Sequence, residues 1–161
     1  MGKKYAITDK EAMYFISFST VGWVDVFSRK EYRDILIQNL KYCQENKGLI
    51  IYSWCIMSNH VHVLMTLLGG APALSVILQN IKKFTAVQSN KLLSRTGKFW
   101  AEESFDTIIR NEKHFYHTIH YIINNPVKAG LVNNWWEWKW TYLCEELVSE
   151  YRLEKTTSNN K

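Results

Sequence analysis

Two apolar runs separated by a polar dipeptide govern what this chain can fold into. Leu49 to Met57 and His60 to Leu67 are rich in aliphatic, aromatic and β-branched residues and hinge on Ser58-Asn59, which predicts a β-hairpin. His60 and His62 stand at i and i+2 at the start of the second arm, so both imidazoles point to one face near a strand end. Two imidazoles side by side are a ready pair of metal ligands, while a packed or hydrogen-bonded pair is the commoner fate of such a spacing.

The hairpin needs partners, and the flanking periodicities supply them. Residues 12 to 21 are rich in aromatic and β-branched types and read as a strand, with Gly22 beginning a turn. Tyr32, Ile35, Leu36, Leu40 and Cys43 recur at three to four residues within Arg29 to Lys47, an amphipathic helix stopped by Gly48. Gly69-Gly70 and Pro72 break the chain after the hairpin. Leu74, Ile77, Leu78, Ile81 and Phe84 then trace a second helix whose polar side carries Lys82 and Lys83. Ser104 to Arg110 reads as a fourth strand. A last helix runs from about Glu112 to Asn124, with Asn111 as N-cap and Pro126 ending it. Phe115, Ile119 and Ile122 suit a core, while His114, His117, Tyr121 and Asn125 follow a second stripe. The order β-α-β-β-α-β-α predicts an α+β sandwich, an antiparallel four-stranded sheet with helices on one face.

At 161 residues and 47% hydrophobic content, the chain is long enough for one sizeable core and short for two. It reads as one domain over residues 1–161, with a core of about 12–143 and a disordered polar tail from Lys155 to Lys161. A net charge of +5 and a pI of about 9.1 suit a polyanionic partner without requiring one. Cys43, Cys55 and Cys144 are odd in number and form no CxxC pair, which argues against a disulfide framework or a cysteine zinc site and for reduced, cytoplasmic thiols. No run approaches about 18 apolar residues, and Met1-Gly2-Lys3-Lys4-Tyr5 is not followed by the apolar segment of a secretory signal, so the reading is a soluble, unexported protein.

A second constellation lies sixty residues beyond the histidines. In Tyr121-Ile122-Ile123-Asn124-Asn125-Pro126-Val127-Lys128-Ala129-Gly130 a phenol and an amide at i and i+4 share a helix face. Taken with Met57-Ser58-Asn59-His60-Val61-His62 and Phe99-Trp100, this stretch resembles the REP-associated tyrosine transposases, members of the single-tyrosine HUH endonuclease class of insertion-sequence transposases. The resemblance covers roughly residues 12 to 143, and Trp138-Lys139-Trp140-Thr141 is similar to the family's Trp-containing segment after NPVKAG.

The resemblance implies a ferredoxin-like palm, related to the RRM sandwich, that cleaves and rejoins single-stranded DNA beside a hairpin formed by a palindromic repeat. Tyr121 would be the nucleophile, and His60 and His62 would hold a divalent metal, Mg2+ or Mn2+. A phenol attacks poorly at neutral pH unless a nearby cation lowers the cost of the phenolate, and a metal also neutralises charge on the scissile phosphate. The product would be a 5′-phosphotyrosine with a free 3′-hydroxyl, which conserves the bond energy for rejoining without ATP. Two imidazoles suit manganese at least as well as magnesium. Asn125 stands where related transposases carry a glutamine ligand, and it is either a third ligand or a helix-end cap.

The remaining candidates stay two-sided. Lys82, Lys83, Arg95, Lys98, Arg110, Lys113 and Lys128 are phosphate contacts or a solvated surface. Trp135, Trp136, Trp138 and Trp140 stack on unpaired bases or, in the alternation of the last three, close the core as a strand-like segment. His117, one turn before Tyr121, touches phosphate or phenol, or is solvated. The resemblance implies a monomer or homodimer acting in the bacterial cytoplasm near the nucleoid, with no membrane partner. A different class of reading is a module on the same fold that grips structured nucleic acid without cutting it. A third is a metal-free structural protein.

Overall fold

A computed structural model describes residues 12–158, with side chains through residue 151. Residues 1–11 and 159–161 lie outside the described part, so the reading of the opening segment for an export signal falls there. The elements are β1 (Met13–Thr20), α1 (Lys30–Asn46), β2 (Leu49–Ile56), β3 (His60–Leu67), α2 (Leu74–Leu92), β4 (Trp100–Ile108), α3 (Glu112–Lys128), β5 (Thr141–Leu143) and α4 (Glu145–Ser158). Of the tail expected to be disordered, residues 155–158 are therefore helical backbone.

All strand pairs are antiparallel, in the order β4-β1-β3-β2-β5. The first four strands have the order expected of a ferredoxin-like α+β sandwich, with two crossovers through α1 and α2. Two features extend it. The sheet has five strands, since Thr141–Leu143 adds to the outer side of β2. The helices also lie on both faces of the sheet. Ile16, Phe18, Trp54, Val61, Val63 and Met65 pack against α1 and α2 in one core, while Met13, Cys55 and Leu64 pack against Phe115, Ile119, Ile122 and Ile123 of α3 in a second. The physical reason is in β3, buried on both sides from Val61 to Thr66; a strand apolar on both faces needs cover on both.

Three boundaries move from the expected ones. β4 begins at Trp100, not Ser104, because Trp100 is buried and its backbone already pairs with Thr20. The segment Trp135–Glu137 is a 3-10 turn, so the strand that closes the sheet starts after the tryptophans. α3 runs through Pro126 to Lys128. Proline removes one hydrogen bond there, and the helix ends instead at Gly130, whose φ is +74°. The Gly130 N–H donates to Val127 O and the Leu131 N–H to Pro126 O, both at 3.0 Å, a glycine-based C-terminal stop that needs the left-handed conformation. Asn111 caps the N-terminus as expected, accepting from the His114 N–H at 2.8 Å.

Cys43, Cys55 and Cys144 are free and buried. No helix among the described residues is long and apolar enough to cross a membrane.

Candidate active site

The hairpin turn does more than reverse the chain. The Ser58 hydroxyl donates to Asp25 Oδ1 at 2.7 Å and the Asn59 amide donates to the same oxygen at 3.2 Å. The Asn59 carbonyl accepts from the Thr20 N–H at 2.9 Å, which ties the turn to the end of β1. Asn59 Oδ1 lies 2.7 Å from His60 Nδ1. An amide oxygen only accepts, so Nδ1 carries the proton and Nε2 keeps its lone pair. Asp25 and Asn59 thus orient His60, a role the sequence gives to neither: Asn59 reads there as a hinge and as part of the motif around the histidines, and Asp25 follows no periodicity.

Period two along β3 places the rings of His60 and His62 on the α3 face, with centroids 4.9 Å apart. His62 is 5% exposed, and its ring stacks on Phe15 of β1 at 5.7 Å. Tyr121 approaches from α3, its ring edge-on at 5.4 Å from His62 and 5.9 Å from Phe15, and it is 45% exposed. One turn on, Asn125 Nδ2 lies 3.4 Å from His62 Nε2. The helix-end reading of Asn125 does not describe this geometry, since α3 continues past it and its backbone carbonyl accepts from the Ala129 N–H within the helix.

Burial dominates the electrostatics. It pushes the His62 pKa down to about 3, with the neighbouring His60 ring adding to the shift. It also lowers His60, with the Asn125 side chain acting in the opposite direction. Both rings are therefore neutral near pH 7, the form that ligates metals. His62 Nδ1 is buried without a hydrogen-bond partner, and Nε2 is the ring nitrogen turned to Asn125. Among the described residues no group of three or more His, Cys, Asp or Glu side chains could hold a metal ion. The donors at this point are two imidazoles and, with its amide turned, the Asn125 oxygen. That neutral N,N,O set could hold a divalent ion, and its imidazoles suit Mn2+ at least as well as the harder Mg2+.

The other sequence candidates scatter. Lys82 and Lys83 stand on α2, across the sheet from the histidines. The Lys82 ammonium, its pKa lowered by burial, donates to Ser104 Oγ and lies over the Phe18 ring at 5.8 Å. Lys83 lines a groove with Tyr42 of α1. Arg95 donates to the Lys98 carbonyl at 3.0 Å, and Lys98 pairs with Glu102. Arg110, Lys113 and Lys128 are exposed at the two ends of α3, the helix that carries Tyr121. His117 is exposed and lines a surface groove with His120 and Glu150. Of the tryptophans, Trp135 is buried, Trp138 donates to Ile56 O at 3.0 Å, and Trp140 lies under the Arg33 guanidinium at 3.2 Å. These three close the core, and Trp136 is the exposed member of the cluster.

Comparison with known proteins gives the family and the fold. Residues 12–125 match the family model described as "Transposase IS200 like". A REP-associated tyrosine transposase of Escherichia coli (strain K12) is 33% identical over 89 residues, 55% of this chain and 50% of that protein. The chain thus matches about half the length of that curated relative. The solved structure of a REP-associated tyrosine transposase bound to a REP hairpin superposes with a TM-score of 0.69 at 23% identity, covering 88% of this chain and 82% of that one. A putative transposase from Deinococcus radiodurans R1 gives 0.53 at 18% identity, over 78% and 95%. At those identities the two structures speak for the fold.

Proposed function

The chain belongs to the IS200-like transposase family, and from that premise we infer that it is a transposase acting on single-stranded DNA beside a hairpin, with Tyr121 as nucleophile. The observation that carries the reading is the convergence of four side chains from two elements: the Tyr121 ring 5.4 Å from His62, the His60 ring 4.9 Å from His62, and Asn125 3.4 Å from His62. Tyr121 is also exposed enough for a strand to reach it.

In the proposed reaction the Tyr121 oxygen attacks the scissile phosphorus in line. The phenolic proton leaves to solvent, the Tyr121 Oη–P bond forms and the P–O3′ bond breaks, and the 3′-oxygen takes up a proton. The products are a 5′-phosphotyrosine and a free 3′-hydroxyl, and the reverse attack by a second 3′-hydroxyl rejoins DNA at no net loss of phosphodiester bonds. His60, His62 and Asn125 would hold a divalent ion, which would supply charge neutralisation at the phosphate. Asp25 and Asn59 hold the His60 tautomer, Phe15 holds the His62 ring plane, and α3 holds the phenol against both. Arg110, Lys113 and Lys128, at the ends of α3, are the basic residues best placed to meet the rest of the strand.

The test is a cleavage assay on single-stranded hairpin oligonucleotides taken from repeats flanking the encoding gene, with Mn2+ or Mg2+, comparing the wild type with Tyr121→Phe and His60→Ala. Covalent protein–DNA adducts that both substitutions abolish support the reading. Tight hairpin binding without an adduct under either metal overturns it in favour of a non-cutting nucleic-acid module.

A further inference from the structure

α3 covers β2 and β3 but not the outer half of the same sheet face. From β1 only Met13 and part of Phe15 join the core beneath α3, and β4 contributes none of its residues. Next to the histidines the face is open. Ser19 and Ser17 of β1 lie in register with His60 and His62, and Phe105 of β4 lies in register with Ser17. Ser17, Ser19 and Phe105, with Trp23, Ala101 and Glu103, line a groove of about 460 Å³ beside the histidines, within the ~300–1,000 Å³ of small-ligand sites. Its floor is two hydroxymethyl groups and a methyl.

The walls are aromatic and exposed. Trp23 is 61% and Phe105 58% exposed, large apolar surfaces that folding leaves in water. Both connect to the histidines through ring contacts. Trp23 meets His60 at 5.8 Å, and Phe105 meets Phe15 at 6.0 Å, itself stacked on His62. Trp23 also has a left-handed backbone, φ +55°, directly after Gly22 at +64°. That conformation is unfavourable for a bulky residue and persists only where surroundings impose it; here the Asn59 amide donates to the Trp23 carbonyl at 3.4 Å. The indole is held beside the groove by its backbone, not by burial.

Charge selects among occupants. Glu103 is exposed on the groove's side of β4, and a carboxylate repels a phosphate. A neutral, flat ring with an amino edge suits both the aromatic walls and the Glu103 acceptor.

We propose that this groove is a nucleobase subsite: one unpaired base of the strand whose phosphate lies at the histidines is held between Trp23 and Phe105, and Glu103 accepts a hydrogen bond from its exocyclic amine. The proposal rests on the single-stranded-DNA reading above, and it extends that reading to base selection next to the cut. Cytosine, adenine and guanine offer the amine and thymine does not.

The test needs neither a hairpin nor a metal. Fluorescein-labelled dC8, dA8, dT8 and an eight-unit abasic oligomer are titrated with the full chain in EDTA and read by anisotropy. The wild type should bind dC8 and dA8 more tightly than dT8, and all three more tightly than the abasic strand. Trp23→Ala and Phe105→Ala should each weaken dC8 by roughly 5- to 100-fold, the range of one lost base stack, with abasic binding unchanged. Trp23→Phe should retain most of the affinity, and Glu103→Leu, which has no acceptor, should erase the preference over dT8. Variants with wild-type melting temperatures that bind dC8 as the wild type does overturn the subsite, as does a wild type that does not distinguish bases from abasic sugar. A normal adduct in the hairpin assay with base-independent binding here removes the subsite alone. The base-dependent pattern without any adduct removes the cleavage reading and leaves the subsite standing.

Discussion

The side-chain amide of Asn125 lies 3.4 Å from Nε2 of His62, across 63 residues of chain. Apolar packing sets this distance. Ile119, Ile122 and Ile123 of α3 are buried against Leu64 and Cys55, which fixes the rotation of the helix about its axis. Tyr121 and Asn125, one residue before and three after Ile122, are thereby turned to the rim where His62 emerges. The polar contact is a consequence of the core beside it.

Tyr121→Phe separates chemistry from folding. The ring contacts with His62 and Phe15 survive the change and only a hydroxyl at an exposed position is lost. Stability should change by less than about 0.5 kcal/mol, seen as an unshifted urea midpoint, while hairpin adducts disappear on denaturing gels. A large midpoint shift would show that the hydroxyl is structural.

Asn59→Ala removes the acceptor of His60 Nδ1 and the link to Asp25. A ligand imidazole without its orienting partner typically loses about 10–100-fold in metal affinity, so calorimetric Mn2+ binding should weaken by that factor with both histidines still present. Unchanged affinity would separate the turn network from the metal.

The two histidines make stability depend on pH. Their pKa values are lowered in the folded protein, His62 to about 3, so below the unfolded value of about 6.5 the unfolded chain binds more protons. The stability held above pH 6.5 is then lost as pH falls towards the folded pKa, by up to about 1.4 kcal/mol per pH unit for His62. In EDTA, the melting temperature should fall from pH 6.5 to 4.5 more steeply in the wild type than in His62→Gln. Parallel curves would mean that protons reach His62 in the folded state without penalty.

Thr85 is buried on α2, and its Oγ accepts from the Trp100 indole N–H at 2.8 Å. Thr85→Val keeps the shape but leaves that N–H buried and unpaired, which should cost about 1–3 kcal/mol in urea unfolding. Hairpin cleavage by the folded variant should be unaffected, because α2 packs on the other face of the sheet from Tyr121.

How far the sequence reaches depends on the range of the interaction being read. The β4 boundary moved because Trp100 pairs with Thr20, eighty residues earlier in the chain. The closing strand, offered as one reading of the alternating tryptophans, forms just after them at Thr141–Leu143, because three residues carry no periodicity of their own and are recruited by the free side of β2. In β2 the register shifts between Ile51 and Ser53, so that Ile51, Trp54 and Ile56 share one core while Cys55 joins the other, a parity change that strict alternation cannot foresee. Trp23 and Phe105 were not singled out, since nothing local distinguishes an aromatic left in water from one in the core.

By itself the sequence determined the local geometry: the hairpin, the shared face of His60 and His62, the shared face of Tyr121 and Asn125, and the family they resemble. Periods of two and of 3.6 residues follow from backbone dihedrals, so they can be read wherever they occur. Only the tertiary structure decided that these two faces meet, that α3 lies across the sheet from α1 and α2, and that a strip beside the histidines stays open. Those outcomes depend on which apolar surfaces remain to be covered once every element has formed, a quantity belonging to the whole chain and to no segment of it.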